Sequence, residues 1–182
     1  MRGILVLLLL GSPLAAKERE GVVSQPVIEA GGKQLHLMGM GLRKKFVFKV
    51  YIASFYLEDP ASDNAEKIIA SDQVKRVEMH MLRDLDRGKI IEAIEEGFLK
   101  NSAQQMPALK ERLDKFVKSI PDLKSGEAIF VTYVPGMGTH IKAGKGEELD
   151  LPGKDFADAL FSVWLGAHPV DGDLKEEMLR NR

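Results

Sequence analysis

The sequence predicts an α+β domain in which helices cover one face of a large antiparallel sheet. Three observations carry this. Residues 27–58 are rich in β-prone and alternating apolar side chains, residues 86–120 carry apolar side chains at helical spacing, and strands return over residues 128–151 before two closing helices. Strands, helices, strands and helices in that order are the pattern of segregated layers around one core.

Taken in order, residues 17–26 read as a loose leader. Val27–Ala30, Gly31-Gly32 and Lys33–Met40 read as a β-hairpin about a glycine turn. Gly39 and Gly41 read as a further turn that delivers Arg43 to the start of the longest strand, residues 44–58. Phe46, Phe48, Val50, Ile52 and Tyr56 fall on one side of that strand. Val47, Lys49, Tyr51, Ala53, Phe55 and Leu57 fall on the other. Both sides are largely apolar, which predicts a central strand covered on both faces. Asp59-Pro60 stops it, and residues 63–70 form a short helix with Ile68 and Ile69 inward. Residues 74–82 alternate, with Lys75, Val77, Met79 and Met81 against Arg76, Glu78 and His80, as a half-buried strand does.

Asp86 caps a helix that runs through Lys100, with Ile90, Ile91, Ile94 and Phe98 on its apolar stripe. A second helix follows Pro107, with Leu109, Leu113, Phe116, Val117 and Ile120 inward. Lys110–Asp114 and Glu111–Lys115 are opposite-charge pairs one turn apart on its outer side. Residues 128–134, 139–143 and 147–151, joined by turns at Pro135–Gly138 and Gly144–Gly146, read as a β-meander. The closing helices are residues 154–165, with Phe156, Ala159, Leu160, Val163 and Trp164 inward, and residues 173–179.

The chain opens with one positive charge, Arg2, an apolar run from Ile4 to Leu10, and then breakers and small residues. This is the layout of a secretory signal peptide cleaved after Ala16. The run is far shorter than the ~20 apolar residues of a spanning helix, so no transmembrane segment is expected. Residues 17–182 then form one domain of 166 residues, enough to bury its own core. Loss of Arg2 leaves 25 Lys+Arg against 27 Asp+Glu, a formal net of −2, and nucleic acid is not an expected partner. The absence of cysteine excludes disulfides, a thiolate nucleophile, cysteine metal sites and a lipoprotein anchor. Export without cysteine points to a bacterial periplasm.

The functional expectation centres on Arg43 and Tyr51. Their even separation within one strand puts both on one face. A guanidinium keeps its charge and offers a planar fork to a carboxylate. A buried charge-assisted pair contributes on the order of 1.5–3 kcal/mol, and an apolar tail adds roughly 0.8 kcal/mol per buried methylene. Together they suit a small amphipathic anion. Structural readings stand beside these: Arg43 bonded to carbonyls at a strand start, and Tyr51 as a core phenol. Lys49, on the same face in this reading, is a second anchor or a rim residue with a buried stem. Thr139 follows the Pro135-Gly136-Met137-Gly138 turn and either shapes it or touches the ligand.

Gly39 and Gly41 precede a strand rather than a helix, which excludes a phosphate-binding loop. His36, His80, His140 and His168 are far apart and no metal site is expected; His80, between Met79 and Met81, is the candidate for binding haem iron. No Ser-His-Asp arrangement is read from local sequence.

The chain resembles the chalcone-isomerase-like family. The resemblance rests on Gly39-x-Gly41-x-Arg43, Phe48-Lys49-Val50-Tyr51, Tyr56-Leu57-Glu58 and Tyr133-x-Pro135-Gly136-x-Gly138-Thr139. It continues through Phe156-x-x-Ala159-Leu160-Phe161-Ser162-x-Trp164-Leu165-Gly166, Pro169 and Asp173-Leu174-Lys175. It looks most like an exported bacterial branch. The resemblance implies an open-faced β-sandwich with a ligand cleft between sheet and helices. Plant members cyclise chalcones, plastid relatives bind fatty acids, and fungal relatives are linked to haem. Arg43 matches the arginine these proteins share, and Tyr51 matches the tyrosine of the fatty-acid-binding branch, where true isomerases have threonine. The isomerases' tyrosine and asparagine fall near Asp86 and Ala93, and their last hydroxyl residue near Val163, with Ser162 adjacent. The resemblance thus implies a non-catalytic binder of a small amphipathic anion such as a fatty acid, using Arg43, Tyr51, Lys49, Ser162 and Thr139. The alternatives are an intramolecular lyase with Arg43 as its catalytic residue, and a haem binder.

Overall fold

The computed structural model describes residues 15–180, and the apolar run from which export was read lies outside them. Residues 17–26 are not a loose leader. They form a hairpin of β1 (Lys17–Arg19) and β2 (Val22–Ser24), turning at Glu20 and Gly21 with φ of 52° and 77°. Two positive φ values suit the twist of paired strands. The Ser24 and Ser54 hydroxyls, 2.6 Å apart, tie this hairpin to the main sheet.

The main sheet is a seven-stranded antiparallel meander in chain order: β3 (Val27–Ala30), β4 (Lys33–Lys45), β5 (Phe48–Leu57), β6 (Lys75–Met81), β7 (Ala128–Val134), β8 (Gly138–Ala143) and β9 (Leu149–Leu151). Among the described residues five α-helices accompany it: α1 (Ala65–Ala70), α2 (Arg87–Ser102), α3 (Met106–Ser119), α4 (Lys154–Leu165) and α5 (Gly172–Leu179). Asn64, Asp86 and Asp171 cap α1, α2 and α5 by accepting from the amides of Lys67, Gly88 and Leu174, donors that a helix start leaves without internal partners.

Both faces of the sheet are apolar, as the doubly apolar β5 predicts. On the helix face, Tyr51, Ala53, Phe55 and Leu57 of β5 and Val77, Met79 and Met81 of β6 pack with Phe156, Leu160 and Trp164 of α4. On the other face, Leu35, Leu37, Met40, Leu42, Ile52 and Tyr56 form a second core as the sheet curls over the β1–β2 hairpin. Lys75 faces the helices and is fully buried. Its Nζ donates to the carbonyls of Ile68, Ile69 and Ser71, closing the C-terminal end of α1.

Two features differ from the sequence reading. The strand expected over residues 44–58 is two strands. The chain reverses at Phe46 and Val47, between the closing pair Lys45 and Phe48, with Phe46 at φ 56°. That turn lacks the glycine or asparagine that would announce it, and its apolar residues continue the β-prone run. The second difference concerns Gly39 and Gly41, which lie inside β4, not in a turn. A Cβ at Gly39 would come 2.3 Å from the Glu177 carbonyl oxygen, and one at Gly41 would come 2.6 Å from Leu174. The glycines let α5 lie directly on the strand.

Candidate functional site

β4 and β5 set Arg43 and Tyr51 directly opposite each other as cross-strand partners. Partners in register share a face. They do so here across a hairpin rather than along one strand. Between them and the turn the register shifts, with Lys44 opposite Lys49 and Val50 the extra residue. Such a bulge lets consecutive residues face the same way, and Val50 and Tyr51 both line the cleft.

The cleft lies between the sheet and α2 and α4 and encloses about 330 Å³. Ligand pockets of about 300–1,000 Å³ are usual. Met79, Met81, Ile90, Ile94, Phe116, Ile129 and Trp164 make its walls apolar, while Arg43, Lys45, Arg83 and Lys89 give it cationic groups, with Asp84 as the acid among its lining residues. Asp84 is engaged by Lys124 Nζ at 2.9 Å and by the Ser125 amide.

Arg43 Nη1 donates to Asp171 Oδ2 at 3.0 Å and to the carbonyl of Lys44. Asp171 is also the cap of α5, its Oδ1 accepting from the Leu174 amide. One carboxylate therefore holds both the guanidinium and the helix start. Gly39 and Gly41 bring α5 close enough for this. Further along α5, Glu177 accepts from the Leu42 amide at 2.9 Å and from Arg19 at 2.8 Å. The loop before α5 is strapped to α2 by Asn101, whose Nδ2 donates to the His168 carbonyl while its Oδ1 accepts from the His168 amide. Both bonds from Arg43 use Nη1. Among the described residues, Nε and Nη2 have no hydrogen-bond acceptor, so these two donors remain available at the cleft.

Tyr51 is buried, and its hydroxyl accepts from Trp164 Nε1 at 3.2 Å. Burial pushes its pKa up to about 12, opposed by the Trp164 hydrogen bond and by Arg43. The phenol is therefore neutral at physiological pH. With Trp164 donating to the oxygen, the phenol hydrogen is left to donate to a further acceptor.

The remaining sequence candidates lie elsewhere. Lys49 is exposed at the far side of the bulge, paired with Glu20 at 2.7 Å, and does not share the Tyr51 face. Ser162 points back along α4 and donates to the Asp158 carbonyl at 2.6 Å. Thr139 is buried on β8, opposite Tyr133 and Leu151, with its hydroxyl lacking a partner among the described residues. None of the three lines the cleft. His80 projects from the opposite face of the sheet to the cleft-lining Met79 and Met81, edge-on to Phe130 and 3.7 Å from Glu78. Asp86 caps α2, whereas Ala93 and Val163 do line the cleft, presenting only methyl groups. Sequence reasoning missed Asp171, Lys45, Arg83 and Lys89. Asp171 had a signal, an acidic residue immediately before a helix, but its pairing with Arg43 spans 128 positions. Among the described residues, no group of His, Asp and Glu is placed to hold a metal ion, and no helix is long and apolar enough to cross a membrane.

A curled antiparallel meander with helices on one face and a cleft between the layers defines an open-faced α+β sandwich. The chain belongs to the chalcone isomerase-like family, whose model matches residues 16–180. Among solved structures it is similar to a fatty-acid binding protein of Arabidopsis thaliana. The TM-score is 0.70 and the identity 15%, over 91% of this chain and 96% of that one. No curated protein matches the chain.

Proposed function

We infer that this protein binds a small amphipathic carboxylate, such as a fatty acid, in the cleft between sheet and helices. The carrying observation is the placement of Arg43 and a neutral Tyr51 side by side in a cleft with apolar walls and a cationic excess from Lys45, Arg83 and Lys89. A carboxylate only accepts hydrogen bonds. Arg43 offers Nε and Nη2, and Tyr51 offers its O–H, so the three donors match it. Met79, Met81, Ile94 and Phe116 suit an alkyl tail. The fatty-acid binding relative supports the same ligand class. A non-catalytic role agrees with Ala93 and Val163, which bring no amide or hydroxyl to the cleft. The signal layout read in residues 1–16 supports a periplasmic setting for this binding.

Trp164 is the single tryptophan and lines the cleft, so its fluorescence reports occupancy. Titration with decanoate and with decanol separates the head group from the tail. The acid should bind more tightly than the alcohol, and Arg43→Ala should remove the difference. Equal affinities for acid and alcohol in the wild-type protein, or no response to either, would overturn the reading.

A further inference from the structure

The hairpin tip between β4 and β5 is unlike the rest of the surface. Residues 44–49 are all exposed and read Lys-Lys-Phe-Val-Phe-Lys, with no acidic residue. Phe46 is 89% exposed, Val47 86% and Phe48 55%. Large apolar side chains gathered at one exposed point mark an interaction site.

The turn itself gives no reason for Phe46 and Val47. The turn needs a positive φ at its first central position, which glycine supplies without strain and a bulky residue does not. Phe46 occupies it at φ 56° while pointing to solvent. Phe48 carries a cation on its ring, the Arg83 guanidinium 4.8 Å from its centroid.

The charge around the apolar tip is basic. Lys44, Lys45 and Lys49 flank it, with Arg83 and Lys89 on the adjacent wall. Among the acidic groups around these residues, Glu20 is engaged by Lys49, Asp84 by Lys124 and Glu96 by Lys100, and Glu92 lies in the depression lined by Lys45 and Lys89. An apolar point ringed by lysines matches the interface of an anionic bilayer, where aromatic rings enter the headgroup layer and lysines meet phosphates. A protein partner would have to bring its own acidic ring to this small patch.

Phe46, Phe48 and Lys45 also border the cleft. We propose that the Phe46–Phe48 tip docks on an anionic lipid bilayer and sets the mouth of the cleft against the surface from which its ligand enters. Docking stands on the tip alone, and the entry route rests on the carboxylate-binding reading above.

The test is flotation of the purified protein with phosphatidylcholine vesicles, with and without phosphatidylglycerol. The wild-type protein should float with the anionic vesicles and not the neutral ones, and rising salt should release it. Val47→Asp combined with Lys44→Glu, neither of which lines the cleft, should lower vesicle partitioning roughly tenfold or more. The same variant should keep the decanoate response of Trp164 in the absence of vesicles. Phe46→Gly should melt no lower than wild type, because it relieves the turn, yet lose vesicle binding. Absence of flotation, equal flotation with neutral and anionic vesicles, or undiminished binding by the variants would overturn docking. Self-association through the tip without vesicle binding would overturn it too. A vesicle-bound protein that ignores decanoate would overturn the ligand reading and leave docking standing.

Discussion

Arg43 and Tyr51 face each other across β4 and β5, and each is held from behind by a residue far along the chain: Asp171 on Arg43 at 3.0 Å and Trp164 on Tyr51 at 3.2 Å. Each support uses part of its partner's hydrogen-bonding capacity and leaves donors unused on two residues that line the cleft. The pair is thereby pre-arranged for an acceptor, which limits the ordering cost of binding.

The support on Arg43 sets a sign that separates ligand anchor from structural arginine. Asparagine is as good a helix cap as aspartate, so Asp171→Asn should keep α5 capped while removing the competing charge. Decanoate should then bind more tightly than to wild type. Arg43→Ala should weaken it by roughly 10-fold to 150-fold, the equivalent of about 1.5–3 kcal/mol. A purely structural Arg43 would give two variants with lower melting temperatures and unchanged affinity.

The close approach of α5 to β4 makes Gly39 and Gly41 intolerant of a side chain. At Gly39 the obstacle is the backbone oxygen of Glu177, which has no rotamer to yield. Gly39→Ala should cost about 1–3 kcal/mol, lowering the melting temperature by roughly 2–4 °C per kcal/mol for a chain of this size. Gly32→Ala, at a turn with open space around it, is the contrast. Its cost should come only from its φ of 73°.

Tyr51→Phe leaves the buried Trp164 Nε1 without its acceptor. The expected loss is about 1–3 kcal/mol of stability, the desolvation cost of an unpaired donor. Trp164 is itself a large buried side chain. Trp164→Phe should therefore cost more, through the cavity it leaves. The double variant should be less destabilised than the sum of the two single changes, because the second substitution removes the orphaned donor. Urea unfolding of all three measures this coupling.

Lys75 and the tyrosines predict a stability maximum in alkaline solution. Burial lowers the Lys75 pKa from 10.5 to about 8. Between these values the unfolded chain keeps the proton and the native chain has lost it, so stability rises with pH. Burial raises all three tyrosines above 10, Tyr51 and Tyr56 to about 12. Above pH 10 the unfolded chain loses phenol protons that the native chain keeps, and stability falls. Unfolding free energy should therefore climb from pH 8 to 10, by about 2 kcal/mol at most, and then drop. Lys75→Met should flatten the rise and leave the fall, as chemical denaturation across pH would read.

The sequence by itself determined the α+β class, the strand and helix order and the two-sided burial of β5, because each is written in local periodicity. It also marked Arg43 and Tyr51 as the polar residues of interest, although by a parity argument along one strand that does not exist. The Phe46-Val47 turn carries no glycine or asparagine, and the bulge at Val50 changes which side chains share a face. Local pattern contains neither, so strand parity places Lys49 on the Tyr51 face, whereas the bulge turns it to the other side. Gly39 and Gly41 read as a turn because glycine permits turns; the helix that requires their missing side chains arrives more than 130 residues later. Only the tertiary structure decided that Asp171 restrains Arg43, that Trp164 orients Tyr51, and that Thr139 and Ser162 lie away from the cleft. Those are contacts between distant elements, set by how closely α5 and α4 pack on the sheet rather than by any spacing along the chain.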